Sequence, residues 1–252
     1  MITTRNLATR HLTGINLDIP TGSWHMLIGP NGAGKTTLLK ALAGLIPSTG
    51  ELTVGDIDPR QAKRAKTAQS IALCPQRPQL PDGMSVRDYV LLGRTPHLKL
   101  LANPSHTDHR IVDDILHQLG LNTLATKNIT HISGGELQRA TLGRALATQA
   151  PVLLLDEPTS ALDIGKAQQA LSLIDDIRTT TGITVVAAIH DLTLAGQYGD
   201  HVWLIDNGEI TNHGPAHTTL TAQQIKQTYD AHTTVVTTPE FAIIPTRHHN
   251  QH

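Results

Sequence analysis

Short apolar runs recur along this chain, separated by turns rich in glycine and proline. Trp24-His25-Met26-Leu27-Ile28 reads as a buried strand, and so do Ile71-Ala72-Leu73-Cys74, Val152-Leu153-Leu154-Leu155 and the stretch Ile183 to Ile189. Nearer the N-terminus, Leu7 and Ile15-Asn16-Leu17-Asp18-Ile19 show strand-like alternation, and Pro20-Thr21-Gly22 marks a turn. Glu51-Leu52-Thr53-Val54 predicts a strand after the loop Pro47-Ser48-Thr49-Gly50. His201 to Asp206, Asn207-Gly208 and Glu209-Ile210-Thr211 predict a hairpin with a tight turn.

Helical spacing alternates with these strands. Leu38, Leu39, Leu42 and Leu45 fall on one face after the first buried strand. Pro59 to Gln69 is basic and weakly helical, as a solvated helix would be. From Pro78 to about His131 the strand signals stop. Ser85 with Asp88 forms a capping pair before Val90-Leu91-Leu92, and Ile111, Ile115, Leu116 and Leu119 line a second helix that Gly120 ends. A further helix starts at Ser133. The expectation is an all-helical insert, about 78–150, within an α/β domain. Ala167, Ala170, Leu171, Ile174 and Ile177 stripe the next helix, Ala222 to Tyr229 forms a short one, and the tail 247–252 is expected to be disordered. There is no internal repeat.

A length of 252 residues suits one large α/β domain or two small ones. With 39% hydrophobic but only 2% aromatic residues, Leu, Ile, Val and Ala must fill the core. The formal net charge of -1 and the lack of a dense basic stripe argue against a nucleic-acid partner. Met1 to Leu12 lacks the apolar core of a signal peptide, and no apolar run reaches the roughly 18 residues that span a bilayer. Cys74 is the lone cysteine, which rules out an intramolecular disulfide and fits a reducing compartment. A cytosolic location is expected, with any membrane work done through partners.

The chemistry begins at Gly29-Pro30-Asn31-Gly32-Ala33-Gly34-Lys35-Thr36-Thr37, which fits G-x-x-x-x-G-K-[ST] between a strand and a helix. Its glycines let backbone N–H groups close around phosphate oxygens, and the helix start adds partial positive charge. Lys35 can reach the β- and γ-phosphates, and the Thr36 hydroxyl can ligate Mg²⁺. Nucleoside triphosphate binding follows. Asp156 and Glu157 sit at the carboxyl end of a strand, the edge where open α/β sheets bind ligands. Asp156 can hold Mg²⁺, and Glu157 can orient or deprotonate a water attacking the γ-phosphate. Capping of the turn Pro158-Thr159-Ser160 is the plainer reading of that pair.

Ser133-Gly134-Gly135-Glu136 fits a capping box. Two glycines inside a helix start cost about 1 kcal/mol each, which makes sense where backbone must approach an anion. One nucleotide does not need two phosphate sites in one chain, so this second site is expected to serve a nucleotide held by another subunit.

Taken together, these residues resemble the nucleotide-binding subunit of ATP-binding-cassette (ABC) transporters over nearly the whole chain. Gly29 to Thr37 matches the Walker A loop, and Val152 to Glu157 matches Walker B with its glutamate. Ser133 to Glu136 is similar to the family signature, with Ile132 for the usual Leu and Glu136 for Gln. Ser160-Ala161-Leu162-Asp163 resembles the D-loop, Gln76 the Q-loop glutamine and His190 the switch histidine. The resemblance implies a P-loop NTPase of ABC type over residues 1–246. It implies a mixed central sheet, an N-terminal antiparallel β subdomain and the inserted helical subdomain. It further implies that two copies sandwich two ATP molecules with Mg²⁺, each between one copy's phosphate loop and the other's Ser133 helix. Thr37 would support the α-phosphate, Gln76 would contact Mg²⁺ and the attacking water, His190 would contact the γ-phosphate, and Asp163 would cross the dimer interface. The family places an aromatic near the N-terminus to stack on adenine; Leu7-Ala8-Thr9-Arg10-His11 offers none, leaving Arg10 or His11 for that task.

Gly93-Arg94-Thr95-Pro96-His97, Asp113-Asp114-Ile115-Leu116 and His190-Asp191-Leu192-Thr193-Leu194-Ala195 resemble the subfamily that imports ferric siderophores, heme or cobalamin. That implies integral-membrane permease subunits, an external solute-binding protein and a place on the cytoplasmic face of the cell membrane. A simpler account of Gly93-Arg94 is a helix end with Arg94 near its dipole. The alternative function is a soluble ABC-type ATPase of iron–sulfur cluster assembly. A chromosome- or ribosome-acting ATPase would bring long coiled-coil inserts or tandem cassettes, and the sequence has neither.

Overall fold

Alternating burial along the strands sorts the apolar residues onto two faces of one sheet. The computed structural model of the chain describes residues 1–99 and 102–246. The tail from Arg247, with His248, His249 and His252, lies outside the described residues. The chain opens with β1 (Ile2–Thr9), β2 (Leu12–Ile19), β3 (Trp24–Ile28), α1 (Lys35–Leu42) and β4 (Thr49–Val54). β2, β1 and β4 form a three-stranded antiparallel sheet whose inward residues, among them Ile2, Leu7, Ile15 and Leu17, are fully buried. Leu45, expected on the face of α1, lies past its end and is 63% exposed.

After α2 (Arg64–Ser70), a helix that buries no residue, β5 (Ile71–Cys74) enters the main sheet. Helices then follow without a ladder: α3 (Val86–Leu91), a 3-10 turn over Leu92–His97, α4 (His106–Gln118) and α5 (Gly134–Ala147). Ser85 caps α3 by accepting from Asp88 N at 3.0 Å, and Ser105 with Asp108 closes a capping box on α4. The remainder runs β6 (Val152–Asp156), α6 (Ile164–Thr181), β7 (Thr184–Ala188), α7 (Leu192–Tyr198), β8 (His201–Asp206), β9 (Glu209–Gly214), α8 (Ala216–Thr219), α9 (Ala222–Tyr229), β10 (Thr233–Val236) and β11 (Ala242–Pro245).

The main sheet has the order β5-β6-β7-β3-β8-β9, parallel except for β9. Successive residues of a strand point to opposite faces. Met26, Leu153, Leu155, Val185 and Ala187 therefore pack with the helices α3 to α6, while Leu27, Leu154, Val186 and Ala188 pack with α1 and the antiparallel sheet. No described helix is long and apolar enough to cross a membrane.

Gly93 and Arg94 turn inward rather than ending a helix at the surface, while Thr95 and His97 stay exposed. Arg94 is 7% exposed; its Nε donates to Asp108 Oδ1 at 2.8 Å and its Nη1 to Ala147 O at 2.7 Å. The guanidinium thus meets the last carbonyl of α5, that of Ala147, not those of its own helix. A Cβ on Gly93 would lie 2.2 Å from Arg144 O, so only glycine lets the turn approach α5 this closely. The chain's last strands were not evident in the sequence: β10 and β11 form a hairpin seated on α7, where Ile243 N donates to Thr193 Oγ1 at 3.0 Å.

Candidate nucleotide site

Four adjacent parallel strands end at the same edge of the sheet, and each is followed by a singled-out motif. In the order β5-β6-β7-β3, these are Gln76, Asp156-Glu157, His190 and the loop Gly29–Gly34. Register keeps the ends level, since Cys74 pairs with Leu155, Asp156 with Ala188 and Leu27 with Ala188. The sequence order of the motifs gives no hint of this adjacency.

The phosphate loop owes its shape to glycine. Gly34 has φ 114°, and a Cβ there would sit 2.7 Å from Leu12 Cδ2; at Gly29 a Cβ would sit 2.0 Å from Ile205 O. Gly34 is the N-cap of α1 and supplies no side chain, which leaves the first N–H groups of the helix free for an anion. Lys35 is 6% exposed, with Nζ donating to Gly29 O at 2.6 Å and Pro30 O at 3.0 Å. Burial holds its pKa below the ordinary lysine value, opposed by Glu157 and Asp156. Thr36 Oγ1 donates to Asp156 Oδ1 at 2.9 Å. Asp156 is 5% exposed, and desolvation pushes its carboxyl above the usual range against the Thr36 hydrogen bond and the pull of Lys40 and Lys35. A desolvated carboxylate beside a hydroxyl is an oxygen-donor pair that fits a hard divalent cation such as Mg²⁺.

Glu157 is the centre of the next layer. Its two carboxylate oxygens are taken separately, Oε2 by Gln76 Nε2 and Oε1 by His190 Nε2. Its backbone is left-handed, φ 53°, at a cost of about 1 kcal/mol for a residue with a Cβ. Its N–H donates to Ala188 O at 3.0 Å. The structure thus brings Gln76, Asp156, Glu157, His190, Lys35 and Thr36 together.

Ser133 to Glu136 stands apart from them. Glu136 Oε2 accepts from Ser133 N at 2.7 Å and Ser133 Oγ accepts from Glu136 N at 3.4 Å, completing the capping box. No hydrogen bond among the described residues joins this segment to the phosphate loop, and Ser133 and Gly134 are exposed. Asp163, also exposed, caps α6 by accepting from Lys166 N at 2.8 Å. Arg10 and His11 form the exposed turn between β1 and β2. That turn is tied to the phosphate loop through Gly208, whose N donates to Ala33 O at 3.0 Å and whose O accepts from Thr13 N at 2.9 Å. Gln138, given no task by sequence reasoning, bonds the turn after β6.

Comparisons with known proteins address the family and the fold. The family model described as ABC transporter matches residues 12–160. The cobalamin import ATP-binding protein of Halobacterium salinarum is 38% identical over 92% of this chain, which spans only 58% of that relative's length. The hemin import ATP-binding protein of Shewanella denitrificans is 38% identical over 87% of this chain and 88% of its own. The iron(3+)-hydroxamate import ATP-binding protein of Bacillus subtilis is 32% identical over 89% and 84%. Among solved structures, an inward-facing metal-chelate type ABC transporter aligns with TM-score 0.82 and 26% identity, covering 98% of this chain and 97% of that one. A dimeric post-hydrolysis ATP-binding cassette bound to ADP and Pi aligns with TM-score 0.77 and 25% identity over 86% and 99%. With its ABC-type ATPase fold and its match over more than half its length, the chain belongs to the ABC transporter family, among the ATP-binding proteins that resemble those of siderophore, heme and cobalamin importers.

Proposed function

We propose that this chain hydrolyses ATP to power an importer of a ferric siderophore, or of heme or cobalamin. The observation that carries the reading is the Glu157 carboxylate held between Gln76 and His190, beside the buried Thr36–Asp156 pair and the phosphate loop. Gly29 to Thr37 bind the phosphates; Lys35 gives up its loop carbonyls for β- and γ-phosphate oxygens. Thr36, Asp156 and Gln76 would hold Mg²⁺, which neutralises charge on those oxygens. Glu157 orients and deprotonates the attacking water, and His190 and Gln76 keep its carboxylate aimed at the γ-phosphate. Thr37 lies beside the α-phosphate, and Arg10 or His11 lies against the base.

The free capped helix start at Ser133-Gly134-Gly135-Glu136 and the exposed Asp163 support a dimer of this chain with two shared ATP sites. Residues 78–150 form the helical subdomain that faces permease subunits at the cytoplasmic side of a membrane, with a solute-binding protein outside. Closure on ATP and opening after hydrolysis shift the permease between its inward- and outward-facing states.

Uptake of labelled ferric siderophore by cells carrying Glu157→Gln, beside heme and cobalamin controls, tests the reading. Loss of iron-chelate uptake alone fixes importer class and solute together. Unchanged uptake of all three, at normal expression, favours another solute or a soluble ATPase of iron–sulfur assembly.

A further inference from the structure

The turn after β6 is held by a side chain from α5. Gln138 lies on α5, just past the Ser133 capping box. Its Nε2 donates to Glu157 O and lies 3.4 Å from Ser160 Oγ, and its Oε1 accepts from Ala161 N at 2.7 Å. One amide therefore satisfies a backbone acceptor and a backbone donor on the two limbs of the same turn, using both ends of its hydrogen-bonding capacity.

Glu157 is the residue that needs such a hold. It has a left-handed backbone, and such conformations persist only where the surroundings over-determine them. Its N–H is fixed on one side by Ala188 O; its carbonyl accepts from Gln138 and, within the turn itself, from Ser160 Oγ at 3.2 Å and Ser160 N at 3.4 Å, so Gln138 is the donor that ties this carbonyl to another element. The two peptides set the direction of the Glu157 Cα–Cβ bond, and with it the aim of the carboxylate between Gln76 and His190. Gln138 does not touch that carboxylate. Beyond the turn, the Ala161 bond fixes the segment that leads to Asp163.

We propose that Gln138 is a positioning residue that fixes the turn carrying Glu157, and the segment leading to Asp163, to the helix that begins at Ser133. A shift of that helix is then passed to the base. The inference rests on the reading of Glu157 as base.

Steady-state ATPase kinetics of the full chain with Gln138→Met, Gln138→Glu and Glu157→Gln test it. Met keeps the length and packing of Gln without its polar ends. For Gln138→Met, kcat falls about ten- to a hundredfold, since a displacement of about 1 Å at a reacting group carries a penalty of that order. KM for ATP stays within about twofold, and thermal stability stays near wild type. Gln138→Glu keeps the acceptor for Ala161 N but sets an oxygen against Glu157 O. Its kcat relative to wild type at the same pH falls at least as far at neutral pH and recovers toward acid pH, where the protonated carboxyl again donates. Wild-type kcat in Gln138→Met, or a fall matched by loss of folded protein or of ATP affinity, would overturn the inference and leave the base standing. Wild-type turnover in Glu157→Gln would instead remove the base and the inference with it.

Discussion

His190 and Glu157 meet across the carboxyl ends of neighbouring strands, Nε2 of one on Oε1 of the other. The Glu157 side chain is 12% exposed and that of His190 43%, so the histidine is the solvent side of the pair. Gln76 takes the remaining oxygen. Each Glu157 oxygen keeps a second lone pair, so Gln76 and His190 fix the direction of the carboxylate and leave acceptor capacity on it.

Glu157→Gln keeps the side-chain shape and removes the basic charge. ATP should still bind while turnover falls about 10²- to 10⁴-fold, the range for loss of a general base. ATP-bound dimers should accumulate on size exclusion. Unimpaired turnover removes Glu157 from that task.

Ser133→Arg places a cationic side chain at an exposed helix start that makes no hydrogen bond to its own phosphate loop. Hydrolysis should be lost while ATP binding by the isolated monomer, read by fluorescence or calorimetry, is kept. Equal loss of monomer binding would sink the shared site.

Arg94→Ala leaves Asp108 Oδ1 and Ala147 O buried without the guanidinium, while Ser105 still bonds Asp108 Oδ2. Removing one member of a buried pair costs about 3 kcal/mol or more, so chemical denaturation should show a loss of that order. Hydrogen bonds from Ser105 and then Arg94 hold the Asp108 carboxyl well below the usual range. Its folded pKa is depressed, so its contribution is complete above the unfolded value near 4 and is lost as the pH falls below it. Arg94→Ala should therefore flatten the acid limb of stability.

His25 titrates in the opposite sense from a paired histidine. It is 2% exposed, accepts from Trp203 Nε1 at Nδ1 and stacks on His201 at 5.2 Å between ring centroids. Burial, then His201 and His213, against Asp200, lower its pKa to about 4. Between pH about 6.5 and about 4 the unfolded chain takes up the proton first, so stability falls as the pH drops, by about 3 kcal/mol in all. Thermal melts across that window should show the slope, and His25→Gln should reduce it. An unchanged slope in that variant would assign the acid sensitivity elsewhere.

The legible part of this protein was the part written in contiguous residues. Gly29 to Thr37, Val152 to Glu157 and Ser133 to Glu136 each carry their meaning in backbone geometry a few residues long, so spacing and residue type sufficed. The helix Ala222–Tyr229 and the hairpin around Asn207-Gly208 were clear for the same reason. Strand order was not. Gln76 and His190 converge on Glu157 from 81 and 33 residues away because β5, β6 and β7 are neighbours, and nothing local encodes that pairing. Gly93–His97 resembled the importer subfamily, with a helix end as the simpler account of Arg94; in the fold the Arg94 charge is spent inside, between α4 and α5. Gln138 stood in plain view beside the signature glycines, but its partners lie across the fold. The short, Thr-rich β10 and the equally short β11 bury too little to announce themselves; their pairing with each other and the seat of β11 on α7 make them strands. Local sequence decided which phosphate-loop backbone, carboxylate, amide and imidazole groups the chain offers; long-range packing of parallel strands decided which of them meet, because parallel pairing joins segments that the chain itself keeps far apart.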